Sequence, residues 1–164
     1  MREETRQTIW FWVWVVAIIV VIFLAGGIIF AEAGFARGQD YKAMDNVAAN
    51  KTPITQVEKR YHLSRTVNSD AAYGKDKKGH GYYLIYLPSS KRAYLYPARK
   101  GRSQQQIMSK FHASFGHKKQ EEANLGWYKG QAAWEVSFVN KDNSRGYAVY
   151  TFKKGKRISL INNL

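Results

Sequence analysis

The 164-residue chain contains no cysteine, which excludes disulfides, Cys-ligated zinc, thiol nucleophiles and a lipidated N-terminal cysteine. Acidic residues are scarce as well: 12 Asp and Glu stand against 26 Lys and Arg, a net charge of +14. Without the first 32 residues the balance is 24 basic to 9 acidic, or +15, so the excess charge lies beyond the N-terminal segment. Such a field favours polyanions: nucleic acid, anionic lipid headgroups or phosphate-bearing wall polymers. The residue patterns of covalent catalysis are absent too. There is no G-x-S-x-G nucleophile elbow. His112 and His117 are five residues apart near a helix end, with no carboxylate at a helical ligand spacing, and read as a helix-surface and a helix-ending residue. His62 and His80 are isolated strand and turn residues. Glu121 and Glu122, on a strand, would face opposite sides, and Glu135 is expected to point outward between aromatics. A glycosidase pair needs two carboxyls facing one cleft, and no such pair is evident. The expectation is a non-enzyme with no catalytic residue, metal ligand or cofactor.

One long hydrophobic run is present. No charge occurs from Gln7 to Ala31, and the strongly apolar part, Ile9 to Phe30, would span about 33 Å as a helix, enough for the hydrocarbon core of a bilayer. Trp10, Trp12 and Trp14 crowd one end, where indole rings favour the membrane interface. Ala31-Glu32-Ala33 has the shape of a signal-peptidase site, but the run exceeds a signal h-region and its N-terminal flank is not clearly basic. A retained anchor over 9–30, after a cytoplasmic tail over 1–8, is therefore expected. Arg2 and Arg6 before it nearly balance Arg37 and Lys42 behind it, so charge permits an extracytoplasmic domain without demanding one.

Beyond a juxtamembrane stretch, Asp40 can cap a helix with Tyr41, Met44, Val47 and Ala48 on one side, stopped by Thr52-Pro53, within a segment 31–52. A small sheet over 53–101 follows, and a second α+β unit occupies 102–164. In that unit Ser103 and Gln106 form a capping-box pattern, Ile107, Met108, Phe111 and Phe115 an apolar face, and Gly116 a stop. Alternation in Trp134-Glu135-Val136-Ser137-Phe138 predicts a half-buried strand, and strands are also expected at 81–87, 93–96, 147–152 and 158–161. Asp76-Lys77-Lys78-Gly79 and Asn140-Lys141-Asp142-Asn143 read as hairpin turns. The run Gly81 to Tyr96 aligns without a gap on Gly146 to Ile161, an offset of 65 residues. The fold class expected is α+β: a transmembrane helix followed by two tandem α-β-β-β subdomains with antiparallel sheets.

With its short tail, single anchor, two helix-plus-sheet units, Asp76-Lys77-Lys78-Gly79 before Gly81-Tyr82-Tyr83-Leu84-Ile85-Tyr86-Leu87-Pro88, and Trp134-Glu135-Val136-Ser137-Phe138, the chain resembles the TseB-like (YpmB-type) cell-wall elongation regulators. The resemblance covers roughly Arg37 to Asn163 and rests on arrangement rather than on a single diagnostic motif. It implies two cystatin-like or PepSY-like subdomains on the outer face of a Gram-positive membrane, and association with a class B penicillin-binding transpeptidase. It carries over no catalytic residue. The heavy positive charge departs from the pattern.

The basic residues form clusters: Lys91 and Arg92, then Arg99, Lys100 and Arg102, then Lys153, Lys154, Lys156 and Arg157. Each alone is an ordinary solvated turn; together they mark a candidate polyanion-facing surface, within the reach that screening leaves. Arg145 to Phe152 imitates an RNA-binding RNP1 strand, but that fold interleaves its helices as βαββαβ. Nucleic acid is accordingly a disfavoured partner unless the domain is cytoplasmic. The expected function is a regulator or scaffold of wall elongation. The alternatives are a membrane-tethered binder of wall polymers or headgroups, and a PepSY-like peptidase inhibitor.

Overall fold

The computed structural model describes Val15, Val16 and Ile18, which are helical, and residues 41–162, which lie in one compact unit, Tyr41–Leu164. The tail over 1–8, the rest of the anchor with Trp10, Trp12 and Trp14, and Asp40 lie outside the described residues. Among those described, no helix is long and apolar enough to cross a membrane.

Helix α1 covers 41–51 and buries Met44 and Ala48, as its apolar spacing requires. It ends where expected: the Thr52 hydroxyl donates to the Ala48 carbonyl (2.7 Å) and accepts from the Ile54 N–H (3.1 Å) ahead of the first sheet. That sheet is a meander, β1 (Gln56–Ser64), β2 (Asn68–Lys75), β3 (Gly81–Leu87) and β4 (Arg92–Pro97), antiparallel in sequence order. A crossover over 98–103 leads to α2 (Gln104–Phe115) and a second meander, β5 (Gln120–Tyr128), β6 (Gln131–Val139), β7 (Arg145–Thr151) and β8 (Arg157–Ile161). The capping box on α2 is reciprocal: Ser103 Oγ accepts from Gln106 N–H, and Gln106 Oε1 accepts from Ser103 N–H. Gly116 ends that helix with φ of 64°.

Each unit therefore has four strands rather than the expected three. The additional strands, β1 and β5, are the first after each helix. Strand β1 carries Glu58, Lys59 and Arg60 and a bulge between Val57 and Lys59, and β5 opens on Gln120-Glu121-Glu122. Polar strand ends and a bulge hide the period of two that marks a half-buried strand. The 65-residue offset holds beyond the aligned run, placing α1 and all four strands of the first unit on their counterparts to within two residues. The order α-ββββ-α-ββββ excludes an RNA-recognition fold, and Tyr150 and Phe152, in the RNP1-like stretch, face the core.

The two units share one core. Helix α1 packs Met44 and Ala48 on one face of the first sheet, against Ala72, Leu84 and Tyr86. The other face of that sheet, with Tyr61, Tyr83, Ile85 and Leu87, meets Ile107 and Phe111 of α2 and Leu125, Trp134, Val136 and Phe152 of the second sheet. Trp134 is fully buried, edge-on to Tyr61 (5.2 Å between centroids) and Tyr83 (5.8 Å). The β1–β2 hairpin adds two polar ties. The buried Ser69 hydroxyl donates to the Leu63 carbonyl (3.0 Å) and accepts from the Trp127 N–H (2.9 Å). Arg65 clamps Glu135 with two bonds of 2.6 and 3.2 Å and lies 3.8 Å over the Tyr147 ring. Glu135 does sit on the face opposite Trp134 and Val136, but Arg65 covers it, so it is buried rather than solvent-facing.

Candidate functional site: a basic cleft at the crossover

The crossover is fixed from both sides. Arg102 N–H donates to the Phe152 carbonyl (2.8 Å), and the buried Trp134 indole N–H donates to the Arg102 carbonyl (2.8 Å). Between them the tip of the Phe152 ring abuts Gly101, where a Cβ would stand 2.1 Å from its Cζ. A rigid turn thus projects Arg99, Lys100 and Arg102 beside the first turn of α2.

These cations open onto a cleft of about 650 Å3. Lys153, from the β7–β8 connection, lines it from the second sheet, and Lys59 of β1 from the first. Lys59 Nζ donates to Gln104 Oε1 (3.2 Å), which holds it across the cleft mouth from α2. No acidic side chain among the described residues lines the cleft. Among the described residues, none of the five cations has a carboxylate within salt-bridge distance, whereas Arg60, Arg65 and Lys75 each have one. Uncompensated like charges in a concave site focus the field on an incoming anion.

Tyr61, Tyr73 and Tyr83 contribute to the cleft from the first sheet. Burial, with the neighbouring phenols Tyr83 and Tyr73 adding to it, raises the Tyr61 hydroxyl well above its ordinary value. Burial also pushes Tyr83 up to about 12, assisted by Tyr73 and opposed by the Gln104 N–H. Both phenols are neutral at physiological pH and keep the proton that a hydrogen-bond donor needs. Among the described residues, the cleft therefore offers guanidinium, ammonium and phenol donors. Donors of this kind are suited to a carboxylate or a phosphate.

The structure gathers four of the expected basic residues, Arg99, Lys100, Arg102 and Lys153, and adds Lys59, which sits in a strand that the sequence pattern concealed. The rest lie elsewhere. Lys91, in the left-handed region at φ 53°, closes the β3–β4 connection and Arg92 begins β4, at the end of that strand opposite the cleft. Lys154, Lys156 and Arg157 are on the β7–β8 side outside the cleft lining. There Lys110 Nζ donates to the Gly155 carbonyl (3.2 Å), and the Arg157 guanidinium lies 5.1 Å from the Phe115 ring centre.

The histidines have partners that their spacing does not reveal. His62 Nδ1 is 2.8 Å from the buried Asp70, and His80 Nδ1 is 3.0 Å from Asp76 across the β2–β3 turn. His112 and His117 come together at the end of α2, and the fold brings Glu121 of β5 to them, with His112 Nε2 2.5 Å from Glu121 Oε2. A helix-spacing rule misses this carboxylate because it arrives from the next strand.

With this architecture in view, comparison with solved structures is decisive for the fold. The chain shares its fold with the YpmB protein from Bacillus subtilis. The two are 20% identical with a TM-score of 0.62, and the match covers 74% of this chain and 95% of YpmB. No protein-family model matches the chain, and no curated protein matches it. The match to YpmB agrees with the tandem arrangement of two antiparallel sheets, each preceded by a helix.

Proposed function

We propose that this chain is a non-enzymatic, membrane-anchored binding module whose domain over 41–164 lies on the extracytoplasmic side and engages a class B penicillin-binding transpeptidase of the cell-wall elongation machinery. The observation that carries the binding role is the basic cleft, with five cations, phenol donors and, among the described residues, no acid in its lining. The uncharged run before the domain supports the anchor. The YpmB-like fold, together with the resemblance in motif order, supports the wall-elongation setting. In this reading an acidic segment of the transpeptidase enters the cleft, where paired N–H donors of Arg99 and Arg102 receive its carboxylates.

The test is crosslinking in intact cells with a membrane-impermeant lysine reagent, followed by mass spectrometry. The wild-type chain is expected to capture the transpeptidase, and the double variant Arg99→Glu, Lys100→Glu to lose it. Both side chains are exposed, so the variant is expected to fold. Capture of other proteins alone would sink the transpeptidase reading. Labelling of the domain only after lysis would place it inside the cell and bring nucleic acid forward.

The missing counter-charge in the cleft also favours a second reading, a tethered binder of anionic wall polymers or lipid headgroups. Polyanion affinity falls steeply with salt because binding releases counterions, whereas a protein interface with a packed core persists.

A further inference from the structure

The end of α2 holds a second cluster, separate from the cleft. His112 is in the last turn of α2, His117 follows the stop at Gly116, and Glu121 is the second residue of β5. One ligand atom from each lies within 4.8 Å of the other two. The imidazoles face each other with ring centres 4.0 Å apart, closer than two unlinked surface histidines need be. Glu121 is held in place: one carboxylate oxygen meets His112 Nε2, and the other accepts the Lys118 backbone N–H. Its side chain is only 12% exposed, and that of His112 27%, while His117 is exposed.

We propose that His112, His117 and Glu121 form a binding site for a divalent transition-metal ion of the zinc class. Two imidazole nitrogens and a carboxylate oxygen are ligands that zinc accepts, whereas calcium and magnesium favour oxygen throughout. Tetrahedral coordination at zinc's usual bond lengths of about 2.0–2.1 Å places ligand atoms about 3.3 Å apart. The 2.5 Å contact between His112 and Glu121 therefore opens by less than about 1 Å as the ion enters, and the exposed His117 ring turns in to close the third side. The Lys118 N–H acts as the outer partner that orients the carboxylate. Three protein ligands leave the fourth position open toward solvent, where water or a donor from a bound partner can sit. Lys118 and Lys119 flank the site and weaken it, although Lys119 Nζ is turned away to Asn143 (2.7 Å). An ion bound here ties the end of α2 to the start of β5, and so acts on the rigidity of the second unit.

The test uses the full chain in detergent, without a histidine tag. Zinc titration is followed by calorimetry, and cobalt(II) by its visible absorption, which is intense only in low-symmetry four- or five-coordinate sites. One ion per chain, a melting temperature that rises with zinc concentration, and an intense cobalt spectrum are expected. His117→Ala removes an exposed side chain and is expected to fold as wild type while losing affinity about tenfold or more. Glu121→Gln is expected to do the same, and His80→Ala, whose ring pairs with Asp76 elsewhere, to change nothing. No zinc uptake, or wild-type binding by either His117→Ala or Glu121→Gln, would overturn the site.

Discussion

Gly101 adopts φ −138° and ψ −178°, a conformation open to any residue, so its backbone gives no reason for glycine. The reason is the Phe152 ring, which occupies the space of a side chain. Gly101→Ala forces either the crossover or the ring to move, and overpacking of this kind costs about 1–3 kcal/mol, read as a lower midpoint in urea. Because Arg102 bonds to Phe152, the same change is expected to weaken anion binding in the cleft. Arg65 presents the opposite case, a surface residue with a buried duty. Arg65→Ala leaves the Glu135 carboxylate buried without its guanidinium, at a cost of about 1–3 kcal/mol, moderated because the Arg65 side chain is 37% exposed. Adding Glu135→Gln is expected to recover part of that loss, and a double-mutant cycle in denaturant measures the coupling.

Among the elements, α2 carries two sites at its two ends, and its N-terminal cap sets the wall of the cleft. Ser103→Ala removes the Ser103 Oγ that accepts from the Gln106 N–H, leaving only the backbone half of the capping box, and is expected to cost about 1 kcal/mol by thermal or urea unfolding. The inward face of the first sheet makes a prediction about pH. Tyr61 and Tyr83 are held protonated by burial, with Tyr83 at about 12 against an ordinary value of 10.0. A raised folded-state value means that their contribution is fully present below pH 10, with that of Tyr83 lost as pH climbs through about 12 and that of Tyr61 only at higher pH. Spectrophotometric titration is therefore expected to show exposed tyrosines ionising first and a late step that coincides with unfolding. Tyr83→Phe is expected to diminish that late step.

At the scale of the whole molecule, the shared core makes the two repeats interdependent. Separating residues 41–101 from the rest would expose Tyr61, Tyr83, Ile85 and Leu87, whose cover comes from α2 and the second sheet. The domain over 41–164 is expected to unfold in one calorimetric transition, with calorimetric and van't Hoff enthalpies in agreement. Neither half expressed alone is expected to give a dispersed NMR spectrum. Two resolved transitions, or a folded first half, would show that the repeats are independent domains.

Much of this architecture can be read from the chain itself. Capping and helix period define α2, hairpin turns define β2–β3 and β6–β7, and the 65-residue offset gives the duplication, because these signals depend on neighbours in sequence. Strands β1 and β5 are concealed because their polar ends lie where the sheets meet solvent. Composition fixes the sign of the domain's own field, since a surplus of +15 beyond the first 32 residues persists however the chain folds. Only the tertiary structure decides which cations act together. Arg99, Lys100 and Arg102 are neighbours in sequence, but Lys59 and Lys153 join them only because a shared core docks the two sheets at the crossover. Glu121 likewise reaches His112 and His117 only when β5 pairs back along β6 beside the end of α2. Local backbone preferences specify elements within a few residues, whereas a site assembled from distant segments exists only once the burial of Trp134 and its neighbours has fixed how those elements pack.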